Sequence, residues 1–346
     1  MIRESLCYDD VLLVPQHSTL DSRSKVSLSV NINEIEFAHP IIPANMQTVT
    51  GVDMSRFIVR GGGLAILHRF MDVKEQIDIA KDMKNMGDID RFAVSVGIKN
   101  TDKEIVSNFV DVGVRIMCID VAHGDSQQCV EMVTWIKSKY PDVTIIAGNV
   151  ATGSGAQRLW EAGADVVKVG VGPGSLCTTR IETGNGVAQL TALMDVAVAQ
   201  SYLRELERTR PPDTKKNKTY PFIADGGIKS AGDIVKALCF ADMVMAGNLF
   251  AGTDEAPGEL IHMGGHPYKR YVGSSTHKTN YIEGVAAMVP YKGPAEQVLT
   301  KLLEGLRSGC SYQGAHNLTE LKDEPTFMKI TNAGLQESHP HDVILK

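Results

Sequence analysis

Eight short apolar runs recur along this chain at regular intervals, and no other feature limits its possible folds so strongly. They occupy residues 40–44, 63–67, 91–96, 115–121, 143–147, 165–169, 221–224 and 242–246. Each is too short for a core helix, and each has the length of a buried strand. Between them lie helical patterns such as residues 126–140, where Val130, Val133 and Ile136 share a face. Strands separated by helices pair in parallel, because the helix carries the chain back to the starting edge. Eight such units predict a single (β/α)8 barrel spanning the 346 residues; two doubly wound domains are the alternative. An echo between residues 164–170 and 241–247 fits repeated βα units. Residues 200–220, with Pro211, Pro212, Lys215 and Lys216, read as an exposed insertion, and residues 264–290 as an unpatterned active-site flap. A polar tail, residues 327–346, is expected to dock on a surface.

Charge and composition narrow the function classes. The net charge is −6, and no basic cluster is longer than Lys215 to Lys218, which argues against a nucleic-acid partner. No run approaches the roughly 18 apolar residues of a membrane span. The six cysteines show no paired or metal-binding spacing, and the first residues lack an apolar leader core, so a reducing, cytoplasmic setting is expected.

In a barrel of this kind the chemistry sits just past the C-terminal ends of the strands. After the sixth run comes Gly170-Val171-Gly172-Pro173-Gly174-Ser175-Leu176-Cys177-Thr178-Thr179-Arg180. Three glycines and a proline rule out regular structure and let backbone N–H groups close on a ligand. The loop presents the thiol of Cys177, a strong nucleophile, beside hydroxyls that can pass protons. Asp225-Gly226-Gly227 and Gly247-Asn248 follow the seventh and eighth runs, where barrels commonly bind phosphate. With Ser175 and Tyr271 as further donors and Asp225 as acceptor for ribose hydroxyls, a nucleoside monophosphate is the expected ligand. Met46 is positioned to lie against a purine or to pack as core. Asp120 and Asn149 could hold the ribose and carboxamide of a second ligand, or serve as satisfied polar groups at loop starts. His68 and His123 read more as scaffold than as chemistry, and Trp135 and Trp160 as packing. The G-x-G-x-x-G fingerprint is absent between strand and helix, so a dinucleotide would bind outside the Rossmann mode.

At these residues the chain resembles the IMP dehydrogenase / GMP reductase family. The motifs GVGPGSLCTTR, IADGGIKSAGDIVKAL, DVAHGDS, AGNVAT, YDDVLLVP and VPYKGP carry the resemblance across nearly the whole length. It implies a homotetrameric barrel in which Cys177 attacks C2 of GMP or IMP. It also implies Thr179 and Glu283 as a proton relay. Asp225 would bind ribose, and Ser175, Gly226, Gly227, Gly247, Asn248, Tyr271, Ser274 and Ser275 the nucleotide. Arg69, Asp120 and Asn149 would face the cofactor, NADPH in a reductase or NAD in a dehydrogenase. A potassium ion on Gly172, Gly174 and Cys177 would be completed by Glu337, Ser338 and His339 of a neighbouring subunit. Asn248 departs from the Ser or Gly of the family pattern.

Two regions point in opposite directions. Residues 274–283, Ser-Ser-Thr-His-Lys-Thr-Asn-Tyr-Ile-Glu, are short and hold no arginine, whereas the dehydrogenase pattern has a long flap with an Arg-Tyr pair. Ala44-Asn45-Met46-Gln47 and His68-Arg69-Phe70 also resemble the reductase. The tail around Glu337-Ser338-His339 resembles the dehydrogenase instead. The chemistry-bearing flap decides in favour of a GMP reductase lacking the regulatory tandem (CBS) domain, with a flapless IMP dehydrogenase as rival. A nucleotide-binding protein without turnover is the alternative from another class.

Overall fold

Alternation within the eight apolar runs divides their side chains between two cores, and this division builds the barrel. In the computed structural model, which describes residues 2–214, 218–273, 284–341 and 343, all eight runs are strands. They are β1 (Ile41–Pro43), β2 (Ala65–Leu67), β3 (Phe92–Val96), β4 (Ile116–Asp120), β5 (Thr144–Val150), β6 (Val166–Val169), β7 (Phe222–Asp225) and β8 (Met243–Ala246). The order is β2-β3-β4-β5-β6-β7-β8-β1, every pair parallel, with β1 returning beside β8. The result is a nearly closed (β/α)8 barrel. Ile42, Ile66, Cys118, Ile146, Ile223 and Met243 fill its interior. Ile41, Leu67, Val94, Met117, Val167 and Val244 face the helices. A hairpin, Val30–Ile32 with Ile35–Phe37, plugs the N-terminal end through Ile32 and Phe37.

The helices are α1 (Val52–Arg60), α2 (Val73–Asn85), α3 (Asp102–Val112), α4 (Gln127–Lys139), α5 (Gly153–Ala162), α6 (Thr179–Thr183), α7 (Gln189–Thr209), α8 (Ala231–Leu238), α9 (Ala295–Tyr312) and α10 (Asn332–Glu337). Their starts are written in the sequence. Asp72, Ser126, Thr152 and Ser230 cap α2, α4, α5 and α8 by accepting from backbone N–H groups two or three residues on. Among the described residues no helix is long and apolar enough to cross a membrane.

Two segments differ from expectation. The supposed insertion at residues 200–220 begins as the last turns of α7, not as an exposed loop. Gln200, Leu203 and Glu207 are buried there, and Gln200 donates to the Tyr220 carbonyl at 2.8 Å. Pro211 then ends the helix, since the residue before a proline is driven out of the helical region. The segment after β8 is also not unpatterned. It forms a three-stranded antiparallel sheet of β9 (Leu260–Met263), β10 (His266–Val272) and β11 (Ala286–Pro290). Gly264 and Gly265 make the β9–β10 turn with φ of +57° and +82°, values suited to a two-residue hairpin. The tail docks through a strand, Phe327–Lys329, paired antiparallel with Val11–Leu13 of the N-terminal arm.

Candidate active site

The interior face of the barrel turns polar at its C-terminal end. Asp120, Gly148 and Lys168 stand in one row across β4, β5 and β6, and Asp225 lies two residues above the β7 partner of Lys168. Lys168 is 2% exposed, yet its Nζ lies 3.1 Å from Asp120 Oδ1 and 2.6 Å from Asp225 Oδ2. Gly148 makes this crossing possible, because a Cβ there would sit 2.7 Å from Lys168 Cβ. Burial alone would lower the Lys168 ammonium, but Asp225 and Asp120 reverse that and hold it well above its ordinary value. Burial alone would likewise raise Asp120; Lys168 and Arg69 bring it below the usual carboxylate range. A fixed cation thus lies between two carboxylates that open into the cleft.

The Cys loop is attached to this layer at both roots. At one root, Gly170 has φ of +154°, and a Cβ on it would lie 2.0 Å from the Asp225 carbonyl oxygen, so the position needs glycine. Asn149 Nδ2 donates to the Gly170 carbonyl at 2.8 Å and to Asp225 Oδ2 at 2.9 Å. At the other root, Gln189 Nε2 donates to the carbonyls of Val169 and Asp225 at 2.8 and 3.3 Å. Between them, the Arg180 guanidinium donates to the carbonyls of Val171 and Val187 and braces the loop from within. Cys177 Sγ lies 3.2 Å from Thr179 Oγ1, and the Cys177 N–H donates to the Gly174 carbonyl at 3.0 Å. The Cys177 thiol and the Thr179 hydroxyl therefore share one turn.

The cleft brings together Met46, Arg69, Asp120, Asn149, Gly172, Gly174, Ser175, Cys177, Thr179, Asp225, Gly226 and Tyr271, every one singled out from sequence. Arg69 donates its Nε–H to the Asp120 carbonyl at 3.1 Å and lies over the Phe70 ring. Burial pushes the Tyr271 phenol up, which keeps it a neutral hydroxyl, 3.8 Å from the Met46 sulfur. Gly247 adjoins that pair: a Cβ on it would lie 2.6 Å from the Tyr271 hydroxyl oxygen. Gly227 and Asn248 do not line the cleft. Gly227 packs against Pro173 and the Tyr8 ring, and the Asn248 carbonyl accepts from Lys292. Glu337, Ser338 and His339 lie at the end of α10, away from the cleft of their own chain. Ser274, Ser275 and Glu283 fall outside the described residues. His68 is a scaffold residue, buried with Nδ1 accepting from the Phe70 N–H at 3.1 Å.

Sequence reasoning missed Lys168 and Gln189, and it placed Asn45 at a strand end and Arg180 in the Cys loop without giving either a partner. The signal for Lys168 was present: a lysine on the same face as Val166, in an otherwise apolar strand, needs buried acids beside it. Asn45, which donates to Ser95 Oγ at 2.9 Å and also holds Asp120, carries no such mark.

Comparison with known proteins agrees with this geometry. Residues 5–341 match the model of the IMP dehydrogenase / GMP reductase domain. An inosine-5′-monophosphate dehydrogenase of Chlorobaculum parvum is 42% identical over 306 residues, covering 82% of this chain and 59% of that protein, so the chain spans about three fifths of that relative's length. One from Borreliella burgdorferi is 35% identical over 99% of this chain and 98% of its own. A GMP reductase of Streptococcus suis is 37% identical over 91% of this chain and 92% of its own. Among solved structures, a Trypanosoma brucei GMP reductase in complex with guanosine 5′-monophosphate superposes with a TM-score of 0.89 at 27% identity, covering 99% of both chains. On its barrel, its cysteine loop and these matches, the chain belongs to the IMP dehydrogenase / GMP reductase family.

Proposed function

We propose that this protein is a GMP reductase, converting GMP to IMP and ammonia with NADPH. The observation that carries the choice is the anchoring beside the nucleophile. Gly273 donates to the Val285 carbonyl at 3.2 Å, and Val285 donates to the Leu176 carbonyl at 3.1 Å. Only ten residues, none of them arginine, separate Gly273 from Gly284. The long arginine-bearing flap that would activate water in a dehydrogenase has no room in the sequence there.

In this reading Cys177 adds through sulfur to C2 of the purine, and the C2 amino group leaves as ammonia. The Thr179 hydroxyl, with Glu283, carries the proton that the leaving amine requires. Hydride delivered to C2 and departure of the thiolate then give IMP. Asp225 accepts from the ribose, while Ser175, Tyr271 and the Gly226 and Gly247 turns hold the phosphate end. A nicotinamide cofactor, when bound, supplies the hydride. The residues present fit its carboxamide: Asn149 Oδ1 is buried without a partner among the described residues and is free to accept from an amide. Arg69 and Asp120 flank that position.

Assembly as a homotetramer is supported by a stripe of exposed apolar residues on α7: Met194, Val198, Tyr202 and Leu206, spaced four apart. A cytoplasmic setting and a potassium ion completed by Glu337, Ser338 and His339 of a neighbour complete the proposal.

Reduced-nicotinamide absorbance tests it in two assays, GMP with NADPH and IMP with NAD, each with and without potassium. Loss of signal in the first alone is the expected result, and Cys177→Ala abolishes it while GMP still binds. A gain in the second alone establishes the rival IMP dehydrogenase, which the 42% identical Chlorobaculum relative favours. Silence in both leaves nucleotide binding without turnover.

A further inference from the structure

A second cleft, of about 940 Å³, opens on the outside of the barrel between the start of α8, the length of α9 and the short turn Arg23–Lys25. It exists because α8 and α9 touch closely at small residues: a Cβ on Gly305 would lie 2.4 Å from the Ala231 Cβ. The floor is apolar, built from Leu249, Val298 and Leu302, and the rim is cationic, built from Arg23, Lys229, Lys292, Lys301 and Arg307. Among the described residues Glu304 is the only acidic one lining it. A solvated face would interleave the two signs, and a chain of net charge −6 has no surplus of cations to scatter. Among the described residues, only Lys229 of the five forms an ion pair, with Asp9. Arg23 donates only to the Ser308 hydroxyl, at 3.4 Å. Four cations therefore face one cleft without a carboxylate partner.

We propose that this cleft binds a nucleoside triphosphate, with the base on Leu249, Val298 and Leu302 and the phosphates on Arg23, Lys292, Lys301 and Arg307. The volume lies within the range of small-ligand sites, and the apolar floor with a few convergent polar groups has their usual composition. The four unpaired cations balance the roughly four negative charges of a triphosphate at neutral pH, and arginine forks suit phosphate oxygens. Burial has pushed Lys292 down to about 8, which leaves it mostly charged at neutral pH, and a phosphate beside it would hold that charge more firmly.

The same lysine connects the cleft to the catalytic end of the barrel. Lys292 Nζ donates to the carbonyls of Asn248 and Leu249, in the loop that follows β8. That loop begins at Gly247, against Tyr271 and Met46. A phosphate that draws the Lys292 ammonium away removes these bonds, so occupation of the outer cleft weakens mononucleotide binding inside.

The test is titration of the full chain with ATP by calorimetry, both alone and with the active site saturated with GMP. Stoichiometric binding is expected in both, with severalfold weaker affinity when GMP is present, because the two sites oppose one another. Lys301→Glu with Arg307→Glu should weaken ATP at least tenfold while basal turnover and melting temperature stay unchanged. Tripolyphosphate should bind at least tenfold more weakly than ATP. ATP binding that GMP abolishes completely, or that the double variant leaves unaltered, overturns the proposal. So does tripolyphosphate equalling ATP, or no binding up to about 1 mM, the limit of a weak specific site.

Discussion

Lys168 is the residue on which the interior of the site depends. It is a buried ammonium shared by two carboxylates, so removing it leaves like charges facing each other with no compensation. Lys168→Met is expected to lower unfolding free energy by about 3–5 kcal/mol, measured by denaturant titration, the usual result of stranding buried charge. Lys168→Arg keeps the charge and should recover much of that loss, although its larger head has to fit above Gly148. A Met variant of unchanged stability would mean that Asp120 and Asp225 stay hydrated and do not need the cation. The lysine was legible as an oddity in the sequence, but its partners were not, because Asp120 and Asp225 lie 48 and 57 residues away and meet it only through the barrel register.

Among elements, the eight strands were the most legible, because each alternates buried faces over a length that only a strand satisfies. The β9–β11 sheet was not, since β9 is exposed throughout and β10 carries histidine, proline and lysine in place of an apolar pattern. The end of α7 was misread because Gln200 and Glu207 look solvent-seeking in sequence, yet both are buried in the structure. The Cys loop was legible in composition but not in its anchoring, which depends on side chains from β5 and α7. That anchoring is testable at two glycines. Gly170→Ala places a methyl 2.0 Å from a backbone oxygen, and should cost at least 1–3 kcal/mol and most of the activity. Gly184→Ala, at φ of +69° in open space, should cost only about 1 kcal/mol. Melting temperatures of the pair separate the two effects; equal losses would show that the Gly170 root can move.

For the whole molecule, two expectations concern stability and assembly. Burial holds His39 and His68 neutral, each pushed down to about 4. The unfolded chain takes up those protons from about pH 6.5 downward, whereas the folded chain does not until near pH 4. Stability is therefore full above pH 6.5 and should fall below it, by up to about 2.7 kcal/mol per pH unit when both histidines contribute. Urea unfolding at pH 7, 6 and 5 measures the slope, and His68→Gln should reduce it. A flat profile would show that both rings already bind protons when folded. Val198 and Tyr202, 71% and 57% exposed, dominate the apolar stripe of α7. Val198→Glu with Tyr202→Glu is expected to shift the protein to a smaller species in light-scattering chromatography without lowering its melting temperature. An unchanged mass would move the assembly surface elsewhere. One further property follows from the two roots of the Cys loop, both fastened to Asp225. Those bonds turn the site into a caliper: its jaws are the sulfur of Cys177 and the carboxylate of Asp225, and neighbouring strands set the gap. In the proposed reaction a ligand would then be accepted by the span between its sugar and its reactive carbon, a length read against the backbone before any chemistry begins.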